Sequence, residues 1–456
     1  MKRSIKSLLL VLALALLVGG YWVVTNMTTS VNVTQSSVST AIVDKNAAIS
    51  SISWTYEGED ITLVNNDGTW FLANDETYPI NQNAVKTLMG TFTGVMAKQK
   101  IDGVSSLADY GLEEPAYTVT FTADGEERTF STGDATPLDN GYYFYDGSDV
   151  YVTGASLKEV FESSLLDLTA MEEIPAVSTA THIVISGPDA SFDQTYYEEN
   201  ASLSYNANWH WFETGTKIPT LTDYIQELLD AIGKLTWNTY VAHAPSEEDL
   251  NSVYGMNAEN MTTIAIYDDA DEPYFEMHIG RGSDNGYYAM LAGSDDIYTL
   301  ADSDSVLPIV NAQNADVRSA AILSLLWQDL TELTFDAGTP LTMVRTETES
   351  EGENVVTVAV NGEAVDPDAA KEAFEALTYI VGYSFVDGTE VTEPILTITA
   401  NTVSEEFPTV TIRVGKYNAT HYVAVTDAQP AMLLKASEVD ELIRTFSYIP
   451  AAETAE

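Results

Sequence analysis

The sequence contains no cysteine and few basic residues, and both absences narrow the possible classes of function. Without cysteine there is no disulfide, no thiol nucleophile and no cysteine-ligated zinc or iron–sulfur site. The 456 residues include 19 Lys and Arg against 69 Asp and Glu, a net charge of −50. Because nucleic-acid binding needs a basic face, this charge excludes DNA and RNA as expected partners.

Signatures of common enzyme classes are also missing. There is no Gly-x-Ser-x-Gly nucleophile elbow, no Ser-x-x-Lys pair and no Gly-x-x-x-x-Gly-Lys phosphate loop. His182, His210, His243, His278 and His421 are never spaced i, i+4, as a helical zinc site would require. The sequence therefore predicts a protein that is not an enzyme, with no catalytic residue, no cofactor and no metal.

Acidic residues are densest in two predicted turns, Asp268-Asp269-Ala270-Asp271 and Asp295-Asp296. Such turns can offer calcium the six to eight or so oxygen ligands that it takes. No Asp-x-Asp-x-Asp-Gly loop with a Glu at the twelfth position occurs, however. We expect solvated turns, with calcium binding as the alternative.

Apolar residues, in contrast, are plentiful. With 45% hydrophobic and 10% aromatic residues, the chain can build sizeable cores, which excludes a disordered acidic protein. Dividing the length by about 150 residues per domain suggests about three domains.

The N-terminal residues predict a membrane anchor. Lys2, Arg3 and Lys6 precede an uncharged apolar run over residues 8–24, and the next charged residue is Asp44. The run would span roughly 26 Å of a bilayer core that is about 30 Å thick. By the positive-inside rule, the N-terminus lies in the cytoplasm and the bulk of the chain outside, in a single-pass protein of the cell membrane.

A cleaved signal peptide is the alternative to an anchor. We favour the anchor because the run continues through Gly19-Gly20-Tyr21-Trp22 without a clean small-x-small cleavage site, and Tyr21 and Trp22 suit a membrane interface.

For a protein outside the membrane, the acidic charge indicates solubility, or else attraction of cations or repulsion from anionic envelope polymers.

Landmarks repeat along the chain. Asp139-Asn140-Gly141-Tyr142-Tyr143 recurs as Asp284-Asn285-Gly286-Tyr287-Tyr288, offset by 145 residues, and Tyr110-Gly111-Leu112 recurs as Tyr254-Gly255-Met256. A weaker third copy has His421-Tyr422 in the place of Tyr142-Tyr143. The shared order of landmarks predicts three copies of one structural unit.

Each copy shows strand and helix patterns. Ile52 to Leu63 and Trp70-Phe71-Leu72 indicate a strand pair, and a helix with Val85, Leu88 and Met89 on one face follows. Matching helices are predicted at about 221–235 and at about 367–377, the latter with Asp366 as N-cap. Short strands and closing helices near Leu157, Ser305 and Ser437 complete the copies. This is an α+β fold: three repeated units of antiparallel sheet with flanking helices, after an N-terminal transmembrane helix.

These patterns divide the chain into six predicted segments. They are the cytoplasmic tip and anchor (1–25), a spacer (26–48), repeat 1 (49–175), repeat 2 with a connecting helix over Ala321–Leu333 (176–333), repeat 3 (334–447) and a tail (448–456).

The aromatic residues suggest a binding surface. Trp209-His210-Trp211 alternates, so both tryptophans would share one face of a strand, and Tyr143 and Tyr288 recur in the hairpins. Exposed rings could stack on a sugar or a partner, whereas recurrence favours a shared core role. Trp209, Trp211, Tyr143 and Tyr288 are the candidate binding residues, with core packing as the alternative.

The landmarks resemble the domain-of-unknown-function 4340 (DUF4340) family over about residues 49–447. The first copy carries its strand-end Trp, Tyr-Pro, Tyr-Gly-Leu, Pro, Gly and hairpin Tyr at Trp70, Tyr78-Pro79, Tyr110-Gly111-Leu112, Pro115, Gly133 and Tyr143. The second copy has Ile218 in place of Tyr78 and no clear equivalent of Pro115, and the third departs further.

The resemblance implies an anchored, outward-facing accessory protein associated with an ABC-type, gliding-motility-like transporter, and it carries over no catalytic residue. The expected partner is thus an ABC-type permease or another envelope protein. Two alternatives stay open: a cell-envelope carbohydrate-binding or adhesion module, and a metal-dependent enzyme.

Overall fold

The computed structural model describes residues 36–137, 141–283, 286–301, 303–350, 353–386, 388–427, 429–447 and 449. The chain divides after Glu172 into two compact units. The first unit contains one sheet, and the second contains two.

The first sheet is antiparallel and has nine strands in the order β1-β5-β9-β8-β7-β6-β2-β3-β4. The strands are β1 (Ser36–Ala41), β2 (Ile49–Tyr56), β3 (Glu59–Asn66), β4 (Thr69–Leu72), β5 (Met96–Ile101), β6 (Tyr117–Ala123), β7 (Glu126–Ala135), β8 (Tyr142–Tyr145) and β9 (Val150–Thr153).

The second sheet is antiparallel and has eight strands in the order β12-β11-β10-β14-β15-β16-β17-β13. The strands are β10 (His182–Ser186), β11 (Ser191–Tyr196), β12 (Trp211–Glu213), β13 (Trp237–His243), β14 (Thr262–Tyr267), β15 (Phe275–Ser283), β16 (Gly286–Leu291) and β17 (Asp296–Leu300).

The third sheet is antiparallel and has nine strands in the order β21-β20-β19-β18-β23-β24-β25-β26-β22. The strands are β18 (Leu330–Asp336), β19 (Pro340–Ser350), β20 (Glu353–Val360), β21 (Glu363–Val365), β22 (Ser384–Phe385), β23 (Leu396–Thr402), β24 (Thr409–Lys416), β25 (His421–Thr426) and β26 (Met432–Lys435).

The three sheets share one strand order. Along the chain, each repeat has a first meander of strands, a helix, a single strand, a four-stranded meander and a second helix. The single strand pairs with the last strand of the four-stranded meander. The first sheet adds β1 at its edge and the third adds one strand to its first meander. The predicted antiparallel α+β architecture and its threefold repetition are confirmed.

Eight α-helices are described. They are α1 (Gln82–Thr93), α2 (Leu157–Val160), α3 (Thr222–Gly233), α4 (Glu247–Ser252), α5 (Ser303–Val310), α6 (Asn314–Val317), α7 (Pro367–Thr378) and α8 (Ala436–Phe446). Helix α7 begins where its sequence indicates, because the Asp368 N–H donates to the Asp366 side chain and Pro367 takes the first position, where no N–H is needed.

Each sheet packs its helices over a core of its own. In the first, Ile52 and Leu63 of the strands meet Val85, Leu88 and Phe92 of α1. The helical residues recur at intervals of three and four, which places them on one face of the helix. The cores of the second and third sheets are built the same way around α3 and α7.

The connecting helix predicted over Ala321–Leu333 is wrong. Ala321 pairs with Val381 in an isolated bridge, the Ile322 N–H donates to the Ile380 carbonyl at 3.2 Å, and Leu330 already begins β18. Leu325 is buried along with Ile322. Residues 321–326 are apolar except for Ser324, and a short apolar run has no periodicity that distinguishes a helix from an extended chain, so the pattern was ambiguous.

The first repeat also begins differently from its prediction. Ile52 to Leu63 is not one strand but crosses a tight turn at Glu57-Gly58, where both residues have positive φ. Residues 36–41, in the predicted spacer, form β1 and pair with β5.

The predicted anchor over residues 8–24 and its flanking cations lie outside the described residues, as do Asp139-Asn140, Asp284-Asn285 and most of the tail. Within the described part of the chain, we find no helix with the length and hydrophobicity that a membrane crossing demands.

Candidate functional site

A cavity of about 370 Å³, called the cleft below, lies in the second unit between repeat 2 and repeat 3. Its walls come from the β11–β12 connection, the segment between β12 and α3, the extended segment before β18, the β23–β24 turn with the start of β24, and the end of β25 with the residues after it. The lining residues are Leu203, Ser204, Tyr205, Trp209, Lys217, Pro219, Ile322, Ser324, Phe407, Thr409, Val410, Thr426, Asp427 and Gln429.

Two buried asparagines shape the β11–β12 connection. Asn206 Nδ2 donates to the Ser324 carbonyl at 2.5 Å, and Asn200 Nδ2 donates to the carbonyls of Asn206 and Trp209. Because side-chain amides satisfy the backbone here, the connection is held without regular secondary structure. They fix Tyr205 and Trp209 against the segment that carries Ser324.

One wall of the cleft is aromatic. Tyr205 packs edge-on to Phe407, with ring centroids 6.3 Å apart, and the Lys217 ammonium lies 4.7 Å from the Phe407 ring centroid. Lys217 forms no ion pair with a described residue. The Ser324 N–H donates to the Tyr205 hydroxyl at 3.2 Å. Burial raises the pKa of Tyr205, so this hydroxyl stays protonated.

Three residues that line the cleft each carry a buried polar atom with no hydrogen-bond partner among the described residues: Trp209 Nε1, Ser324 Oγ and Gln429 Oε1. Leaving such an atom unpaired costs about 1–3 kcal/mol. Native proteins satisfy most buried polar groups, so three such residues around one cavity make the cleft the candidate place for a ligand or an ordered water.

Trp209 also lines a second depression. This groove, of about 690 Å³, has the exposed side chains of Tyr224, Val381 and Tyr383 along it. Trp209 thus lines both the cleft and this groove.

Trp211 has different surroundings from Trp209. Strand β12 begins at Trp211, and Trp209 lies before it in the connection, so the two side chains do not share a strand face. Trp211 is 6% exposed in the core of the second sheet. Its counterpart in the first repeat, Trp70, is 8% exposed in the first core.

Tyr143 and Tyr288 occupy equivalent places in the first and second repeats. Tyr143 packs edge-on to Tyr110 with centroids 4.9 Å apart, and Tyr288 packs edge-on to Tyr254 at 5.0 Å. Both are half-buried. The structure therefore places each hairpin tyrosine against the tyrosine of a Tyr-Gly landmark and brings neither into the cleft.

The glycines of these landmarks permit a close backbone approach. A Cβ on Gly133 would lie 2.2 Å from the Tyr110 carbonyl oxygen, and one on Gly280 would lie 2.1 Å from that of Tyr254. Any side chain at these glycines would collide with the carbonyl oxygen. The recurrent landmarks are therefore the two sides of one backbone contact, which joins the strand meander to the Tyr-Gly segment before it.

A buried cluster in the second sheet escaped the sequence analysis. Asp296, 6% exposed, accepts hydrogen bonds from the Tyr240 hydroxyl at 2.9 Å and pairs with His243 Nδ1 at 2.7 Å. The sequence had placed Asp296 in an acidic turn. In the sequence, only the position of His243 at the end of a predicted strand could have pointed to this cluster, and that position does not identify Asp296 as its partner.

Metal ligands do not converge in the described ranges, where no group of three or more His, Asp and Glu side chains is arranged to hold an ion. Asp268 instead accepts a hydrogen bond from the Ala270 N–H at 2.9 Å, which closes a local turn.

Comparison with known proteins identifies one family. A family model described as a domain of unknown function (DUF4340) matches residues 70–253 and, in a second overlapping match, residues 209–396. The first match begins in β4 at Trp70, the second begins at Trp209 just before β12, and each continues into the next repeat. No curated protein and no solved structure matches the chain significantly.

Proposed function

The chain belongs to the family described as domain of unknown function DUF4340, and from that premise we propose that it is a non-enzymatic, membrane-anchored accessory protein of the cell envelope. In this proposal residues 8–24 anchor it, repeats 1 to 3 lie outside the membrane, and its partner is an ABC-type transporter.

The N-terminal charge pattern supports the orientation. Three cations precede the apolar run, and no charge of either sign follows until Asp44. Such an asymmetry keeps the N-terminus in the cytoplasm and exports the remainder of the chain. A strongly acidic exported part also stays soluble and resists self-association.

The cleft is the observation that favours binding over catalysis. Among the described residues, no hydroxyl on its walls is hydrogen-bonded to a histidine, a lysine or a carboxylate, as an activated nucleophile would be. Its walls instead combine aromatic rings with uncharged polar groups, which is typical of recognition sites.

Co-purification tests the transporter association. The tagged full-length chain would be solubilised from membranes in mild detergent and its partners identified by mass spectrometry, with a tagged unrelated single-pass protein as control. We expect a permease and an ATPase subunit with the chain and not with the control. Recovery as a lone monomer would contradict the proposal.

Carbohydrate binding or adhesion is the second candidate function, and the position of Trp209 at the cleft favours it. An indole ring that lines a cavity can pack on the apolar face of a sugar ring, and the Trp209 N–H has no partner among the described residues. We expect immobilised cell-envelope glycan to retain the wild-type chain more strongly than a Trp209→Ala variant. Equal retention of the two would exclude the cleft as the glycan site.

A further inference from the structure

The size of the cleft limits its ligand. Small-molecule sites have volumes of about 300–1,000 Å³, and the cleft, at about 370 Å³, lies at the lower end of that range. It can therefore enclose a ligand of one or two rings, while a longer polymer would enter only by its end.

The unpaired atoms indicate an uncharged ligand. Trp209 Nε1, Ser324 Oγ and Gln429 Oε1 are all neutral, so a charged group buried against them would lack a counter-charge. The charged side chains of the cleft are one cation, Lys217, and one carboxylate, Asp427, and both are exposed. The net charge of −50 further disfavours an anion.

The same atoms require a ligand that both donates and accepts hydrogen bonds. The indole N–H of Trp209 only donates, the Gln429 amide oxygen only accepts, and the Ser324 hydroxyl does both. Adjacent hydroxyl groups on one small ring meet all three demands. Because the three atoms are fully buried at the wall, pairing requires small rotations of these side chains.

The aromatic wall requires an apolar face on the same ligand. Tyr205, Trp209 and Phe407 present rings to the cleft, and rings pack most favourably on C–H groups when water is displaced. A pyranose has such a C–H face together with a rim of hydroxyls, which combines both requirements in one small molecule.

We infer that the cleft binds a single uncharged pyranose ring, with its C–H face on the aromatic wall and its hydroxyls paired with Trp209, Ser324 and Gln429. This inference rests on the second proposed function, carbohydrate binding, and adds to it the site, the size and the charge of the ligand. It does not depend on the transporter partner.

Saturation-transfer-difference NMR and calorimetry test the inference on the full-length chain, in a detergent without a sugar head group. The neutral probes are glucose, galactose, mannose and N-acetylglucosamine. The charged probes are glucuronate and glucosamine, and the peptide probe is an end-blocked triglycine. We expect at least one neutral sugar to bind, with the strongest transfer at ring C–H protons, and the charged analogues to bind about tenfold or more weakly.

Matched variants assign the binding to the cleft. Trp209→Phe keeps an aromatic ring but removes the N–H, so affinity should fall about five- to tenfold, and Ser324→Ala should give a similar loss. Trp327→Phe makes the same change in the same unit, at a residue that packs on Phe374 and does not line the cleft. It should bind as the wild type does.

Four results would overturn the inference: no neutral sugar binding up to about 10 mM, charged analogues binding equally well, triglycine binding better, or Trp209→Phe binding like Trp327→Phe. If envelope glycan is retained on the column while no single sugar binds, this inference fails and carbohydrate binding stands. If neither is retained, both fail.

Discussion

The first and second repeats differ most in one hairpin. In repeat 1, β3 and β4 are joined by Asp67-Gly68 alone, in a tight turn with both φ angles positive. In repeat 2, the equivalent strands β11 and β12 are joined by residues 197–210. Repeat 3 returns to a tight turn, Asn361-Gly362, between β20 and β21.

Residues that recur in repeats 1 and 2 differ in their surroundings from residues that occur only in the longer connection of repeat 2. Those shared by repeats 1 and 2, such as Trp70 and Trp211 or Gly133 and Gly280, lie in cores or close approaches. Tyr205 and Trp209, which belong only to the longer connection, line the cleft. Recurrent residues thus specify the fold, while the extended loop of repeat 2 supplies part of the wall of the cleft.

The largest expected effect separates the two tryptophans of repeat 2. Trp211→Ala empties a buried site and should lower the free energy of unfolding by about 3–5 kcal/mol. Trp209→Ala, at a half-buried loop position, should cost about 1 kcal/mol. Urea unfolding followed by circular dichroism measures both. Equal losses would break the division between fold and cleft residues.

The close approach of glycine to tyrosine gives the next effect. Gly280→Ala and Gly133→Ala should each cost about 3 kcal/mol, because the new Cβ overlaps a carbonyl oxygen. Gly90, on the exposed face of α1, has nothing within 4 Å of an added Cβ and is the control. Gly90→Ala should stabilise the chain by up to about 1 kcal/mol. Melting temperatures that do not distinguish the three variants would contradict the close contacts.

The smallest effect concerns the closing helix α2. Glu159 accepts hydrogen bonds from the Ser156 N–H at 3.0 Å and from the Tyr142 hydroxyl at 2.8 Å. These bonds, chiefly the one from Ser156, hold the pKa of Glu159 below its ordinary value. A depressed carboxyl pKa stabilises the fold at neutral pH, and that contribution disappears as the pH falls through the folded-state pKa.

Glu159 is exposed, so solvent screens its charge and the effect is small: we expect Glu159→Gln to lower the free energy of unfolding by at most about 0.5 kcal/mol at pH 7 and by progressively less in acid. Urea unfolding of the variant and wild type between pH 7 and pH 3 gives the comparison. A difference that grows in acid would show that the carboxylate is not the stabilising form. Repeat 3 has a similar contact between a strand tyrosine and a carboxylate of the closing helix, in which the Tyr422 hydroxyl donates to Asp440 at 3.0 Å.

Local signals predicted the repeats well. The capping residue Asp366, the spacing of Val85 and Leu88 and the shared order of landmarks each depend on neighbours in the sequence, so one chain contained enough information to identify them. The turn at Glu57-Gly58 was missed because Ile52 to Leu63 keeps its alternation on both sides of it.

The cleft and the Asp296 cluster could not be predicted in the same way. Ser324, Phe407 and Gln429 are far apart in the sequence and meet Trp209 only because repeats 2 and 3 pack within one unit. The sequence named Trp209 as one of four candidate aromatic residues, without any indication of what would surround it. The same limit applied to Asp296, whose partners His243 and Tyr240 lie on another strand.

Shortening the loop of repeat 2 tests most directly whether shared residues make the fold and the unshared connection makes the cleft. The Tyr197 N–H donates to the His210 carbonyl at 2.7 Å, so an Asn-Gly turn can replace residues 198–209. The melting temperature of this shortened variant would be measured by thermal unfolding, and its binding of the neutral sugars by saturation-transfer-difference NMR on the same sample. We predict cooperative unfolding above the melting temperature of Trp211→Ala and complete loss of sugar binding. Unfolding at or below that temperature, or sugar binding that persists, would contradict the account.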